Sequence, residues 1–276
     1  MSSHSTTCIY NKTLLHPACV VACLLQLGCS AFVHQLPVTH PTAQQAWQAL
    51  QRQQQTRQQL QAQLQVRAKG LAALVMKQQQ LDVAVQSAPR LLLSWRSFFD
   101  QPALVIAYNG RQVCFFEPAQ QPAIECRDAA AHDTTWLQAI DLPMSPQQIA
   151  AALLGVVPNL QNSQPVGFTL DKSGKRHRTV LLHNNGDKTV LQAHISSGLL
   201  TRYELYNAAG QLQYRLDYDM FKQTQHNMFA QRIGLRTYVN QRSVQLLLQL
   251  KEAQWNGAAL PAKLFHLQQS SPCGSL

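Results

Sequence analysis

Charge is scarce in this chain. Its 276 residues include 13 Asp and Glu against 23 Lys and Arg, only 13% charged in all, so solubility rests largely on abundant glutamine amides. The acidic sign is the rarer one, and beyond residue 150 only 6 Asp and Glu oppose 13 Lys and Arg. A net charge of +10 favours lipid headgroups, phosphate-bearing glycolipid or nucleic acid, with a plain basic surface as the alternative. The chain has neither an aromatic-interleaved RNA-binding strand nor a DNA-reading helix, which removes nucleic acid from that set. No apolar run reaches the ~18 residues of a membrane-spanning helix. G-x-S-x-G, H-E-x-x-H and G-x-x-x-x-G-K-[ST] patterns are missing, the ten histidines are scattered, and Asp217 and Asp219 have no evident proton-transfer partner. Close C-x-x-C spacing is missing too. These absences predict a protein without catalytic residues, metal or cofactor.

What is present begins with Ala18-Cys19-Val20-Val21-Ala22-Cys23-Leu24-Leu25-Gln26-Leu27-Gly28-Cys29-Ser30. An apolar segment of about 10 residues suits the core of an export signal rather than a transmembrane helix. Ending in Gly-Cys and followed by polar sequence, it resembles the lipobox of a bacterial lipoprotein precursor. That resemblance implies a signal peptide over 1–28 and lipidation of Cys29, with Cys23 as the competing site. Neither cysteine is followed by Asp, so the implied destination is the outer membrane of a Gram-negative bacterium, lipid-anchored and facing the periplasm. Residues 29–41 then read as a lipidated tether, 42–270 as one domain and 271–276 as a tail. Of the remaining cysteines, Cys114 and Cys126 can form a local disulfide in an oxidising compartment, with a buried structural role as the alternative.

Composition predicts a helix over 42–63, with Ala46, Trp47 and Leu50 on one stripe continued by Leu60 and Leu64. Beyond it the period becomes two. Leu81, Val83 and Val85 alternate with Asp82 and Ala84, a second strand runs from Arg90 to Arg96, and Leu104–Tyr108 meets Val113–Phe116 across Asn109-Gly110. Ser145 and Pro146 open, and Gly155 and Pro158 close, a helix whose face of Ile149, Leu153 and Leu154 needs an open side or end of a curved sheet. Strands resume after residue 163, punctuated by turn signals at 171–175, 184–187 and 207–210. Leu212, Tyr214, Leu216, Tyr218 and Met220 form one apolar row, and Val244, Leu246, Leu248 and Leu250 another. About 11 strands without a βαβ rhythm predict a mainly β fold, a strongly curved or nearly closed antiparallel sheet.

Over about 43–267, the order of helix, meander, mid-chain helix, second meander and terminal Pro-containing segment resembles the LolA/LolB-like lipoprotein carrier and receptor superfamily, closest to its uncharacterised outer-membrane lipoprotein branch. The segments that carry the likeness are Pro89–Glu117, Leu142–Pro158, Thr201-Arg202-Tyr203-Glu204-Leu205 through Asp217-Tyr218, and Leu260-Pro261-Ala262-Lys263-Leu264-Phe265. The resemblance implies an unclosed antiparallel β-barrel of about 11 strands with capping helices, and an apolar hollow for acyl chains. It implies lipid or lipoprotein binding and assistance in lipoprotein sorting, without covalent catalysis. A structural or assembly lipoprotein using the same fold as a protein-interaction module is the alternative.

The residues expected to face the hollow are Leu81, Val83, Val85, Leu91, Leu93, Val113, Phe115, Leu212, Tyr214, Leu216, Tyr218 and Leu246, either touching acyl chains or serving as core. The resemblance also implies an exposed apolar loop residue for membrane or cargo contact, and Phe98 and Phe99 occupy the matching loop, where packing under the helices is the other possibility. Lys172, Lys175, Arg176 and Arg178 form a basic patch, facing membrane or phosphate or simply solvated. Expected partners are an acylated lipoprotein or membrane lipid and a periplasmic lipoprotein carrier, with membrane contact through the anchor and the protein itself a monomer.

Overall fold

The computed structural model describes residues 32–69, 79–87, 90–96, 102–118, 123–130, 133–135, 142–158, 160, 163–223, 228–239 and 242–267. Cys29, the 1–28 segment, Phe98, Phe99, Trp136, Cys273 and the 271–276 tail lie outside them. Among the described residues are fourteen strands: β1 (Phe32–Leu36), β2 (Gln59–Lys69), β3 (Gln79–Gln86), β4 (Arg90–Arg96), β5 (Pro102–Tyr108), β6 (Gln112–Phe116), β7 (Ile124–Asp128), β8 (Gln164–Asp171), β9 (Arg176–Leu182), β10 (Lys188–His194), β11 (Leu200–Tyr206), β12 (Leu212–Gln223), β13 (Met228–Val239) and β14 (Arg242–Trp255). Two helices accompany them, α1 (Pro41–Gln55) and α2 (Pro146–Leu154). The strands form one antiparallel sheet ordered β1-β8-β9-β10-β11-β12-β13-β14-β2-β3-β4-β5-β6-β7. The sheet is not closed into a barrel, and β1 and β7 are its two edges.

Two meanders, β2 to β7 and β8 to β14, are thus joined side by side where β14 pairs with β2. The count exceeds the expected 11 partly because the segment after α1 is a strand. The helix ends at Gln55, and Leu60 and Leu64 belong to β2 rather than to its continuation. Their spacing of four fits one face of either element. The intervening residues decide between them: Leu60, Ala62, Leu64 and Val66 are buried while Gln59, Gln61, Gln63 and Gln65 are not, an alternation that a helix cannot present to one face. Part of the expected 29–41 tether is likewise structured, since residues 32–36 form β1 along β8. Two prolines in that stretch concealed this. Pro37 follows the strand and Pro41 opens α1, positions where a missing N–H costs nothing.

The expected turns all connect strands. At Asn109-Gly110, Gly110 takes φ 102° and the Asn109 side chain accepts from the backbone N–H groups of Arg111 and Gln112, both at 3.0 Å. The edge strand β7 is fastened covalently. Cys114 and Cys126 face each other in register across β6 and β7 and are joined by a disulfide.

Beneath α1, Phe168 packs with Ala43 and Ala46 and stacks on the His177 ring at 5.0 Å. His177 is fully buried, its Nδ1 lies 2.8 Å from Thr179 Oγ1, and burial, reinforced by nearby His194, lowers its pKa to about 4. Asp171 is also buried. Burial pushes its pKa up, but hydrogen bonds from Arg176, Ser173 and Lys175 outweigh this and bring it down to about 2.

Two outcomes are expected. Replacing Cys114 and Cys126 by Ser, or reducing the bond, lowers unfolding stability by about 2–3 kcal/mol in urea titrations, because the reduced unfolded chain regains loop entropy. Since folded His177 resists protonation, its contribution is intact above pH ~6.5 and is lost as pH falls towards 4, by at most about 3 kcal/mol. His177→Phe lessens the slope across that window, leaving what His183 and His194 contribute, whose pKa values burial also lowers, while the loss tied to Asp171 stays below pH ~4.

Candidate functional site

The second helix has strong local signals at both ends. Ser145 Oγ accepts from Gln148 N at 3.2 Å and Gln148 Oε1 accepts from Ser145 N at 2.8 Å, a reciprocal cap, with Pro146 in the first turn. At the other end Gly155 adopts φ 64°. Between them Ile149, Ala150, Ala151, Ala152, Leu153 and Leu154 are all buried, so the helix is covered on nearly every side. It packs on β2, β3 and β4, and Tyr218 of β12 reaches it from across the sheet. The helix therefore occupies the concave face that the curved sheet offers.

Its C-terminal carbonyls are held by two side chains. Tyr218 donates from its hydroxyl to the carbonyl of Ala152 at 3.1 Å. Arg57, in the short link between α1 and β2, donates through Nη1 to the carbonyls of Leu154 and Gly155, both at 3.2 Å, and through Nη2 to the carbonyl of Met228 on β13. Its guanidinium also stands 5.7 Å from the Trp255 ring. Arg57 is 3% exposed, and among the described residues no carboxylate pairs with it. Burial lowers its pKa to about 10, so it keeps its charge at neutral pH and faces the negative end of the α2 dipole. Gly155 is favoured by its φ of 64°, and a Cβ there would lie 2.5 Å from Arg57 Nη1, so that the guanidinium would have to shift.

The two walls of the concavity differ. On β2 to β6 it is mostly aliphatic, with Leu60, Leu64, Leu81, Val83, Val85, Leu91, Leu93, Ile106 and Val113 buried together with Tyr108. On β10 to β12 aliphatic Leu191, Ala193, Leu200 and Leu216 are joined by aromatics with polar tips. Tyr203 and Tyr214 stack at 5.6 Å, Tyr203 Oη lies 3.4 Å from Thr189 Oγ1, and burial holds the phenols of Tyr214 and Tyr218 well above their ordinary range.

The structure brings most of the expected hollow residues into one apolar cluster. Leu81, Val83, Val85, Leu91, Leu93, Val113, Tyr214, Leu216 and Tyr218 are buried in it beside Ile149, Leu153 and Leu154, and Phe115 and Leu246 pack against it half-buried. Leu212 is half-buried at the start of β12, outside that cluster. With α2 seated, none of the twelve lines the cleft of about 410 Å³ between the end of α1, Arg57, Ser87, α2 and Leu160. Lys172, Lys175, Arg176 and Arg178 are exposed on the β8–β9 hairpin, away from this cluster, and Arg176 pairs with Asp171 at 3.2 Å. Sequence reasoning missed Arg57. Its one sequence signal is a cation standing alone between the helix end and the Gln-Leu alternation.

No protein-family model matches the sequence, and no curated protein matches it. Solved structures do. A LolA superfamily protein from Nitrosomonas europaea superposes with a TM-score of 0.57 at 14% identity, covering 80% of this chain and 97% of that one. A putative outer membrane lipoprotein-sorting protein domain from Vibrio parahaemolyticus gives 0.57 at 10% identity, covering 79% and 94%. A DUF1329 family protein from Desulfovibrio piger gives 0.55 at 11%, covering 83% and 98%. The fold is LolA/LolB-like, an unclosed antiparallel sheet around a helix-filled concavity.

Arg57→Met leaves the carbonyls of Leu154, Gly155 and Met228 without their donor, and the expected cost is about 3 kcal/mol in chemical denaturation. Arg57→Lys restores the charge but not the fork, and falls between the two.

Proposed function

We propose that this protein is a lipoprotein of the Gram-negative outer membrane, anchored through Cys29 and facing the periplasm, whose concave face takes up acyl chains when α2 lifts away. The cargo is a membrane lipid or an acylated lipoprotein, the donor in the latter case a periplasmic carrier, and the result assisted sorting or insertion. The reading invokes no cofactor, no covalent step and a monomeric protein. The observation that carries it is the seating of α2: a short, self-capped helix lies on the apolar rows, and its C-terminal end is held by hydrogen bonds from Arg57 and Tyr218. LolA-superfamily and lipoprotein-sorting structures among those with the same fold support it.

The energetics are compatible with exchange. Ile149, Leu153 and Leu154 together contribute about 5–9 kcal/mol of apolar burial, while a 16-carbon acyl chain offers about 0.8 kcal/mol for each CH₂, or roughly 11 kcal/mol before ordering costs. Measured from water, an acyl chain can therefore replace the helix on this face. A chain drawn from a bilayer or carrier is already buried there, and it offsets the helix burial only through a weaker hold by that donor. Departure of the chain lets the helix return. Transfer in one direction needs only a donor that binds the chain less favourably.

A second reading has its own support. Side chains and α2 fill the concavity, and the sheet has two edges, as an assembly module would. Intact and native mass spectrometry of protein extracted from its own membrane separates the two. Uptake predicts an acylated Cys29 and a stoichiometric acylated ligand released on denaturation. Acylation without ligand, together with no displacement of a fluorescent fatty acid, favours assembly, and an unmodified N-terminus removes the anchor.

A further inference from the structure

The pairing pattern places several features at one end of the sheet. Phe32 at the start of β1 lies opposite Asp171, the last residue of β8. Following the antiparallel register across the sheet, that same end carries the β8–β9, β10–β11, β3–β4 and β5–β6 turns, the C-terminus of β14 and the N-terminus of β2. Arg57 and the cleft beside α2 therefore share an end with the start of β1. Positions 97–101 join strands whose facing ends are at the other end.

Only Ser30 and Ala31 separate Cys29 from Phe32. Three residue steps span at most about 11 Å, little more than the ~8 Å Debye length at physiological salt. At the point where β1 begins stands the basic turn. Asp171 is buried there, accepting from Lys175 N at 3.0 Å, Arg176 N at 3.1 Å and Ser173 Oγ at 2.8 Å, so the carboxylate is engaged in shaping the turn. Lys172, Lys175, Arg176 and Arg178 project from that turn into solvent, and Lys222 and Arg111 are exposed on the same end, where Asp128 also lies.

Resting on the lipoprotein reading, we infer that this end of the sheet is a docking face for an anionic bilayer, with the Lys172–Arg178 hairpin against the headgroups. The short link from Cys29 holds the basic turn within reach of the lipid, and the cleft at Arg57 faces the membrane. A protein so oriented passes an acyl chain between cavity and bilayer at one end. The opposite end, which includes the β4–β5 connection, is left to meet a soluble donor.

The test separates the charge from the anchor. Residues 29–276 carrying Cys29→Ser, which retain every described residue, are sedimented with phosphatidylethanolamine vesicles with and without phosphatidylglycerol. Binding is expected only with phosphatidylglycerol and is lost at high salt. Lys172→Gln, Lys175→Gln and Arg178→Gln together weaken it about 100-fold, about fivefold for each cation. Arg67→Gln with Lys188→Gln, at the opposite end, leaves it unchanged. Binding indifferent to phosphatidylglycerol, or weakened as much by the second set, overturns the proposal. On acylated protein in a Cys273→Ser background, a fluorophore at Ser173→Cys should be quenched by brominated lipid and one at Asn185→Cys should not, and equal or reversed quenching also overturns it. Acylation at Cys29 is read separately from the N-terminal mass, so failure of the anchor and failure of the face are distinguishable.

Discussion

The pairing of β14 with β2 is the contact on which the rest of the structure depends. It runs from Gln245 opposite Lys69 to Trp255 opposite Leu60, with one irregularity after Leu250. Each meander alone is a run of local hairpins with a bare side. Joined along this seam they become one sheet broad enough to curve, and the inward rows of both halves share a single apolar cluster. The seam also fixes where Arg57 stands, because the residue lies two positions before β2 and meets Met228 of β13 and Trp255 of β14.

From that seam follows the chemistry of the concave face. A buried guanidinium with no carboxylate partner among the described residues would ordinarily be costly, and here three backbone carbonyls and the negative end of a helix compensate it. Such compensation is conditional on α2 being seated. Were the helix to leave, Leu154 and Gly155 would take their carbonyls with them, and the guanidinium would need water or another polar group instead. Apolar burial thus fills the site, while the polar contacts decide how firmly it is filled.

Much of this was legible in the sequence. Turn residues marked the hairpins at 109–110, 171–175, 184–187 and 207–210, the Ser145-to-Gly155 signals delimited α2, and alternation located most inward residues, because these are local effects of a few residues. The misreadings have a common origin. Leu60 and Leu64 are compatible with either period, and only the alternation of the glutamines between them assigns the segment to β2. For β1, five residues beside prolines gave no pattern of their own, and their partner is β8, more than a hundred residues away. Arg57 is identifiable only once β2, β13 and α2 are brought together, which no short-range signal encodes.

The β1–β8 and β2–β14 pairings together interlock the start of the chain with its second half. Closing a loop of that length carries a larger entropy cost than any hairpin here, and it precedes the reward of packing. A chain emerging N-terminus first can form its β3 to β7 hairpins early, yet it has no complete concavity until β14 has emerged. On export through a membrane, the nascent protein would therefore hold an unfinished greasy surface until synthesis or translocation ends. The concave face comes into being last, and the emerging chain needs shielding from aggregation until then.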